Sequence, residues 1–221
     1  AYAKSTGQDE WVKSANNNIT AQFENLKKIA NSDQILDFYK KISKDFKKTE
    51  EIVNKDEEKL TPAEKEMLEY YKLGVQRMSR MMKVYKPDEE QVKTLENKNF
   101  KGKILIISEG WCGDAGQTVP AVSLFFEGRN EVKIVYRDEN PDLIDQFLTN
   151  GTRSIPIVVI LDENDGVIAH WGPRPAYGTE LLKKYKADPE NYPKAQFYND
   201  LQVYYAKNRG YDVITEILDL I

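Results

Sequence analysis

The spacing of apolar residues changes partway along the chain, from a helical period to short dense runs. From Trp11 to about Val92 the pattern is helical and rich in Lys, Glu and Asn, with no strand-like alternation. Ile35, Phe38, Ile42 and Phe46 step by three or four residues and share one face of an amphipathic helix. Thr61-Pro62-Ala63-Glu64 predicts a second helix start, with a hydroxyl cap, a proline where no N–H is needed and a glutamate that can reach back to the cap. Its stripe, Leu68, Tyr71, Val75, Met78 and Met82, ends before Pro87 and predicts a face packed on the rest of the protein.

After Phe100 strand and helix signals alternate, the signature of strands joined by crossover helices. Strands are expected at Lys103 to Ile107, Glu131 to Arg137, Ile157 to Leu161 and Val167 to His170, the last two joined as a hairpin through Asp165-Gly166. Helices are expected from Cys112 to about Glu127, from Pro141 to Leu148 and around Thr179 to Tyr185. The order is β-α-β-α-β-β-α. Beyond Pro193 a helix carries Phe197, Leu201, Tyr204 and Tyr205, and after Gly210 a last apolar helix runs to Leu218; both read as structural. The expected division is a helical extension over 1–98 and an α/β domain with added C-terminal helices over 99–221.

Composition narrows the function classes. With 221 residues, 40% of them hydrophobic, the chain can bury one full core plus an accessory element. Charged residues make up 31% and nearly cancel to a net −4, so no excess of Lys and Arg is present to hold phosphates and nucleic-acid binding is not expected. The apolar runs have strand length, far short of the roughly 20 residues that cross a bilayer, so no membrane association is expected. One Cys allows no internal disulfide and suits a reducing compartment, so the cytoplasm is the expected location. One Cys and one His make no arguable zinc site, and no metal or cofactor is expected.

Four local patterns fall at the spacings of one family. Trp111-Cys112-Gly113-Asp114-Ala115 resembles the thioredoxin Trp-Cys-Gly-Pro-Cys turn after the first central strand. Pro120 matches the proline that kinks the family's active-site helix. Asp138-Glu139-Asn140-Pro141 is similar to the Asp-x-Asn-Pro that ends the next strand, and Arg153-Ser154-Ile155-Pro156 to the segment holding the family's cis-proline. The resemblance covers roughly residues 100 to 188 and implies a thioredoxin-like fold, a central mixed sheet of about four strands flanked by helices. Tyr70-Tyr71-Lys72-Leu73, Gln76-Arg77-Met78, the run Glu109 to Ala115 and Trp171-Gly172-Pro173-Arg174-Pro175 further resemble a little-characterised bacterial thioredoxin-family group with an N-terminal helical arm and the same Cys-Gly-Asp-Ala turn.

A thiol at a helix start faces unpaired N–H groups and the positive end of the macrodipole, so Cys112 is expected to be more nucleophilic than an ordinary cysteine. The resemblance implies that Trp111 lies beside the sulfur as an apolar wall. It also implies that a cis peptide leaves the backbone of Ile155, before Pro156, free to pair with an extended substrate. Ala115 removes the thiol that would resolve a mixed disulfide. Ile106 and Ile134 stand where thioredoxins carry a buried Asp and its Lys, so that charge pair is lost together. Asp114 is open between stabilising the helix start and acting as a local proton acceptor. Arg137, Arg153 and Arg174 are open between gripping a carboxylate or phosphate and pairing with Asp138 and Glu139. His170, the only histidine, would have to reach Cys112 from across the sheet to act with it.

Three functions share this scaffold. Cys112 can attack a protein or low-molecular-weight disulfide as a monothiol oxidoreductase with an external resolving thiol. The groove of Trp111, Ile155 and Pro156 can hold a partner segment without turnover. Cys112 can instead cycle through sulfenic acid as a peroxide sensor.

Overall fold

The computed structural model describes residues 61–221; the face of Ile35, Phe38, Ile42 and Phe46 lies outside them. Helix α1 (Pro62–Val84) begins at the capping box. The Glu64 N–H donates to the Thr61 hydroxyl at 3.3 Å, and the Thr61 N–H donates to the Glu64 carboxylate at 2.8 Å. Leu68, Val75, Met78 and Met82 of the expected stripe are buried, Met81 joins them, and Tyr71 packs at the core's edge. This helix ends before Pro87, as its stripe predicts. The chain turns extended at Tyr85, ahead of Pro87, and restarts at Asp88, whose carboxylate accepts the N–H groups of Glu90 and Gln91 to open α2 (Glu89–Lys98).

Next come β1 (Lys103–Ser108), α3 (Ala115–Phe126), β2 (Glu131–Tyr136), α4 (Pro141–Ile144, continued by a 3-10 turn over Asp145–Phe147), β3 (Ile157–Leu161) and β4 (Val167–Trp171). Helices α5 (Ala176–Ala187), α6 (Lys194–Asn208) and α7 (Tyr211–Leu220) close the chain. The sheet is mixed, in the order β2-β1-β3-β4, with β1 parallel to β2 and antiparallel to β3, and β3 antiparallel to β4. Strand β3 is central and covered on both faces, which is why Ile157-Val158-Val159-Ile160 is a continuous apolar run. β4 is an edge and leaves Val167 and Ile168 exposed. Ile106 pairs in register with Ile134 on one side and Val158 on the other, with no solvent contact of its own. A lone charge there would cost several kcal/mol, and apolar packing fills the place instead.

The regular helix expected from Cys112 starts later, at Ala115, although the Gly116 N–H already donates to the Cys112 carbonyl at 3.2 Å. The helix expected over Pro141 to Leu148 is a single turn plus a 3-10 turn, ending where Leu148 becomes extended. Helix α3 is buried along almost its whole length, including Pro120. α1 lies against it, and glycines set how closely. A Cβ on Gly74 would stand 2.6 Å from the Gly110 carbonyl oxygen, and one on Gly116 would stand 3.0 Å from the Arg77 Cβ. Helix α1 therefore rests on the loop that carries the cysteine. Among the described residues no helix is long and apolar enough to cross a membrane.

At a free helix position, Gly→Ala adds roughly 0.5–1 kcal/mol of stability. At Gly74 the added methyl meets rigid backbone, so Gly74→Ala is expected to lose about 1–3 kcal/mol. Urea unfolding of the two proteins measures the sign; a gain would mean that α1 does not approach Gly110 this closely.

Candidate functional site

Strand β1 ends in Ser108, and the following loop carries Glu109, Gly110, Trp111 and Cys112 to the start of α3. Glu109 is buried and its Oε1 accepts the Asp138 N–H at 2.9 Å, fastening this loop to the end of β2. The Cys112 N–H donates to the Glu109 carbonyl at 3.2 Å. Cys112 is only 8% exposed. Its Sγ donates to the Ile155 carbonyl at 3.4 Å, across from the Ile155–Pro156 peptide bond, which is cis. The backbone acceptor that an extended substrate would use is thus engaged by the thiol itself.

The setting of Cys112 opposes the nucleophilicity expected of a thiol at a helix start. Burial pushes its thiol up to about 12, and the Asp114 charge raises it further. The backbone N–H groups of Ala115 and Asp114 do reach the sulfur, as a helix start requires, and with Arg174 they pull the other way; they are outweighed. In this conformation the sulfur is a buried thiol bonded to the Ile155 carbonyl.

Asp114 explains much of this. It occupies the cap position of α3 without making a side-chain cap bond. Its carboxylate instead accepts from Arg174, Nη2 at 2.5 Å and Nε at 3.2 Å, and from the Tyr205 hydroxyl at 2.8 Å. Carboxylate and guanidinium are both largely shielded from water, their side chains 10% and 18% exposed. Burial first, and then the Asp114 charge, hold the Tyr205 hydroxyl well above its ordinary value, so it stays a donor. Arg174 is delivered by the loop after β4, which Glu216 of α7 fixes by accepting the Trp171 indole N–H at 2.6 Å and the Ala176 N–H at 2.9 Å. The Gly172–Pro173 bond in that loop is also cis.

The other nominated residues separate. Arg137 pairs with Asp138 and stacks over Trp111, its guanidinium carbon 4.9 Å from the ring centroid. Arg153 pairs with Asp145 at 2.6 Å. Each nominated arginine is therefore paired with a carboxylate, and of the two acids the sequence offered it is Asp138 that takes Arg137. Ile155 and Pro156 are buried, and Trp111 is half-buried. His170 packs edge-on to Phe147, with centroids 5.4 Å apart. Among the described residues no group of three or more His, Cys, Asp and Glu side chains gathers to hold a metal ion.

Two contributors were not nominated. Tyr205 sat in a stripe read as structural. Arg77 was quoted only as part of a resemblance, yet its guanidinium lies against the turn: Nη1 fills the space that a Cβ on Gly113 would need. Arg77 and Arg174 thus stand close to Cys112 and Asp114 from opposite parts of the chain.

Removing the Asp114 carboxylate leaves a shielded guanidinium and a buried hydroxyl without their acceptor. Asp114→Ala is expected to lose about 2–4 kcal/mol in chemical unfolding. Its Cys112 is expected to alkylate faster at neutral pH, because a charge that raises the thiol pKa is gone. Lost stability with unchanged or slower alkylation would contradict this coupling.

The thioredoxin family model matches residues 61–186, more than half the chain. No curated protein matches it. Among solved structures it is similar to a protein of unknown function from Pseudomonas aeruginosa, at 17% identity over 69% of this chain and 83% of that one, with a TM-score of 0.50. It also matches an HIV epitope-scaffold at 17% identity over 69% of this chain and 84% of that one, with a TM-score of 0.48. At such identities the likeness speaks to fold alone. A mixed four-stranded sheet flanked by helices, with the cysteine turn between β1 and α3, and a family match that takes in α1 as well, place the chain in the thioredoxin family.

Proposed function

We propose that this protein is a thioredoxin-fold binding module in which Cys112 is held as a protected thiol and the groove beside it works without turnover. The observation that carries this reading is the state of the sulfur: 8% exposed, donating to Ile155, and pushed up to about 12 by burial and by Asp114. At neutral pH the thiolate fraction of such a group is about five powers of ten below unity, and thiolate is the species that attacks disulfides and peroxides. Trp111, covered by Arg137, supplies the aromatic contact surface for a protein segment at the groove. Ala115 is 1% exposed and packed as core, in keeping with a native Cys-Gly-Asp-Ala turn of the bacterial group that the sequence resembles. A single thiol kept reduced suits the cytoplasm.

The monothiol exchange reading needs the same groove with the sulfur brought out of it. That means breaking the bond to Ile155 and moving Asp114 away from Arg174 and Tyr205. A peroxide sensor needs the same release. Neither has an observation in its favour that binding lacks.

The pH dependence of iodoacetamide alkylation decides between them. In the folded protein the Cys112 rate is expected to be far below that of the urea-unfolded chain at pH 7 and to keep climbing past pH 10. A rate that levels off below about pH 8, short of the ordinary cysteine value of about 8.5, would restore the exchange reading.

A further inference from the structure

Each arginine the sequence nominated for an anion already has a carboxylate: Arg137 has Asp138, Arg153 has Asp145 and Arg174 has Asp114. Arg77 does not. Among the described residues it makes no hydrogen bond or ion pair, and Asp114, the acid whose charge bears on it, is taken by Arg174 and Tyr205. It is nonetheless half-buried on the face of α1 that meets the turn, and burial lowers its guanidinium pKa, with Asp114 offsetting that only in part. A shielded cation without a counter-ion is costly to keep.

Arg77 opens onto a cleft of about 360 Å³ between α1, α3 and α6, at the small end of the roughly 300–1,000 Å³ that ligand pockets span. Arg80 lines it too, donating Nη2 to the Ala206 carbonyl at 3.0 Å. The amides of Gln76, Gln117, Asn199 and Gln202 complete its polar wall, and no acidic residue lines it. Gln117 is 3% exposed; its Nε2 is 3.5 Å from Gln202 Oε1, while its own Oε1 is buried with no partner. A half-buried Arg77 without an acid calls for an anion, Arg80 adds a second positive charge at the rim, and the accessible amides of Gln76, Asn199 and Gln202 can pair with amide groups of the same ligand.

We propose that this cleft is a binding site for a small carboxylate that also carries an amide N–H, an N-acylated amino acid or a peptide C-terminus, with the carboxylate on Arg77 and Arg80 and the N–H on the accessible side-chain amides of the wall. The planar, always-charged guanidinium takes a carboxylate through two parallel N–H bonds. Gly113 and Gly116 are needed for this placement, since side chains there would displace Arg77. The site stands on the α1 side of the turn, apart from the groove of Trp111 and Ile155, and goes beyond the binding proposed there: it holds whether or not Cys112 reacts.

The test titrates the full chain with N-acetylglycine, followed by amide chemical shifts, beside N-acetylglycinamide and inorganic phosphate. Saturable binding is expected to shift Gly113, Gly116 and Gln117, to be at least tenfold weaker for the uncharged amide, and to exceed that of phosphate. Arg77→Gln is expected to weaken it at least tenfold while Arg153→Gln leaves it unchanged. Equal binding of acid and amide, shifts centred on Arg137 or Arg153, phosphate binding as well as N-acetylglycine, or no saturable binding would each overturn the proposal. The comparison of acid with amide uses the unaltered protein, so it stands even if Arg77→Gln does not fold. Alkylation of Cys112 reports separately on the sealed thiol, so the two readings can fail independently.

Discussion

The Asp114 carboxylate is the contact on which the site depends. It takes Arg174 from the loop after β4 and Tyr205 from α6, and its charge bears on the sulfur two residues away. A carboxylate at a helix start would ordinarily be solvated and worth a fraction of a kcal/mol. Here it is shielded from water and satisfied by a guanidinium and a phenol, which turns a surface charge into a structural tie between three separate segments. The tie also works against thiolate formation: the anion is already in place, and a second one beside it would be opposed.

A second constraint acts from the other side. α1 settles on the cysteine loop because Gly74 and Gly116 let the chains approach, and Gly113 leaves room for Arg77. Helix α1 is therefore part of the wall around Cys112. The two sides leave the thiol to its bond with Ile155. Apolar packing of Ile106 beside Ile134 and Val158 removes the buried charge pair that thioredoxin-type chemistry would use from behind. Each change is local, and all favour the protected thiol proposed for Cys112.

What the sequence made legible was whatever short-range physics decides. The Thr61 capping box, the continuous apolar run of β3 and the hairpin before β4 were read from neighbouring residues and stand as expected, because each is settled by partners a few positions away. The break before Pro87 is legible from the end of the α1 stripe, whereas α2 is not, because it shares the helical composition of α1 and only the Asp88 cap marks its start. The setting of Cys112 is not legible from the turn, for a different reason. Backbone N–H groups that lower a thiol pKa can be inferred from a helix start, and they are present. The burial and the acceptor at Ile155 that outweigh them come from elsewhere in the fold. The partners of Asp114 lie 60 and 91 residues away along the chain, and nothing in the periodicity of α6 distinguishes Tyr205 from a core tyrosine.

The most direct measurement is the unfolding free energy against pH, taken as the difference between this protein and Cys112→Ala. A thiol whose pKa is raised by folding keeps its proton when the unfolded chain has lost it, so its contribution is fully present below the unfolded value and drains away above it. The difference is expected to be flat up to about pH 8.5 and then to fall by about 1.4 kcal/mol per pH unit toward the folded value of about 12. A difference that instead rises with pH between about 5 and 8.5 would mean that folding lowers the thiol pKa, and it would contradict the sealed, protonated Cys112 at the centre of this account.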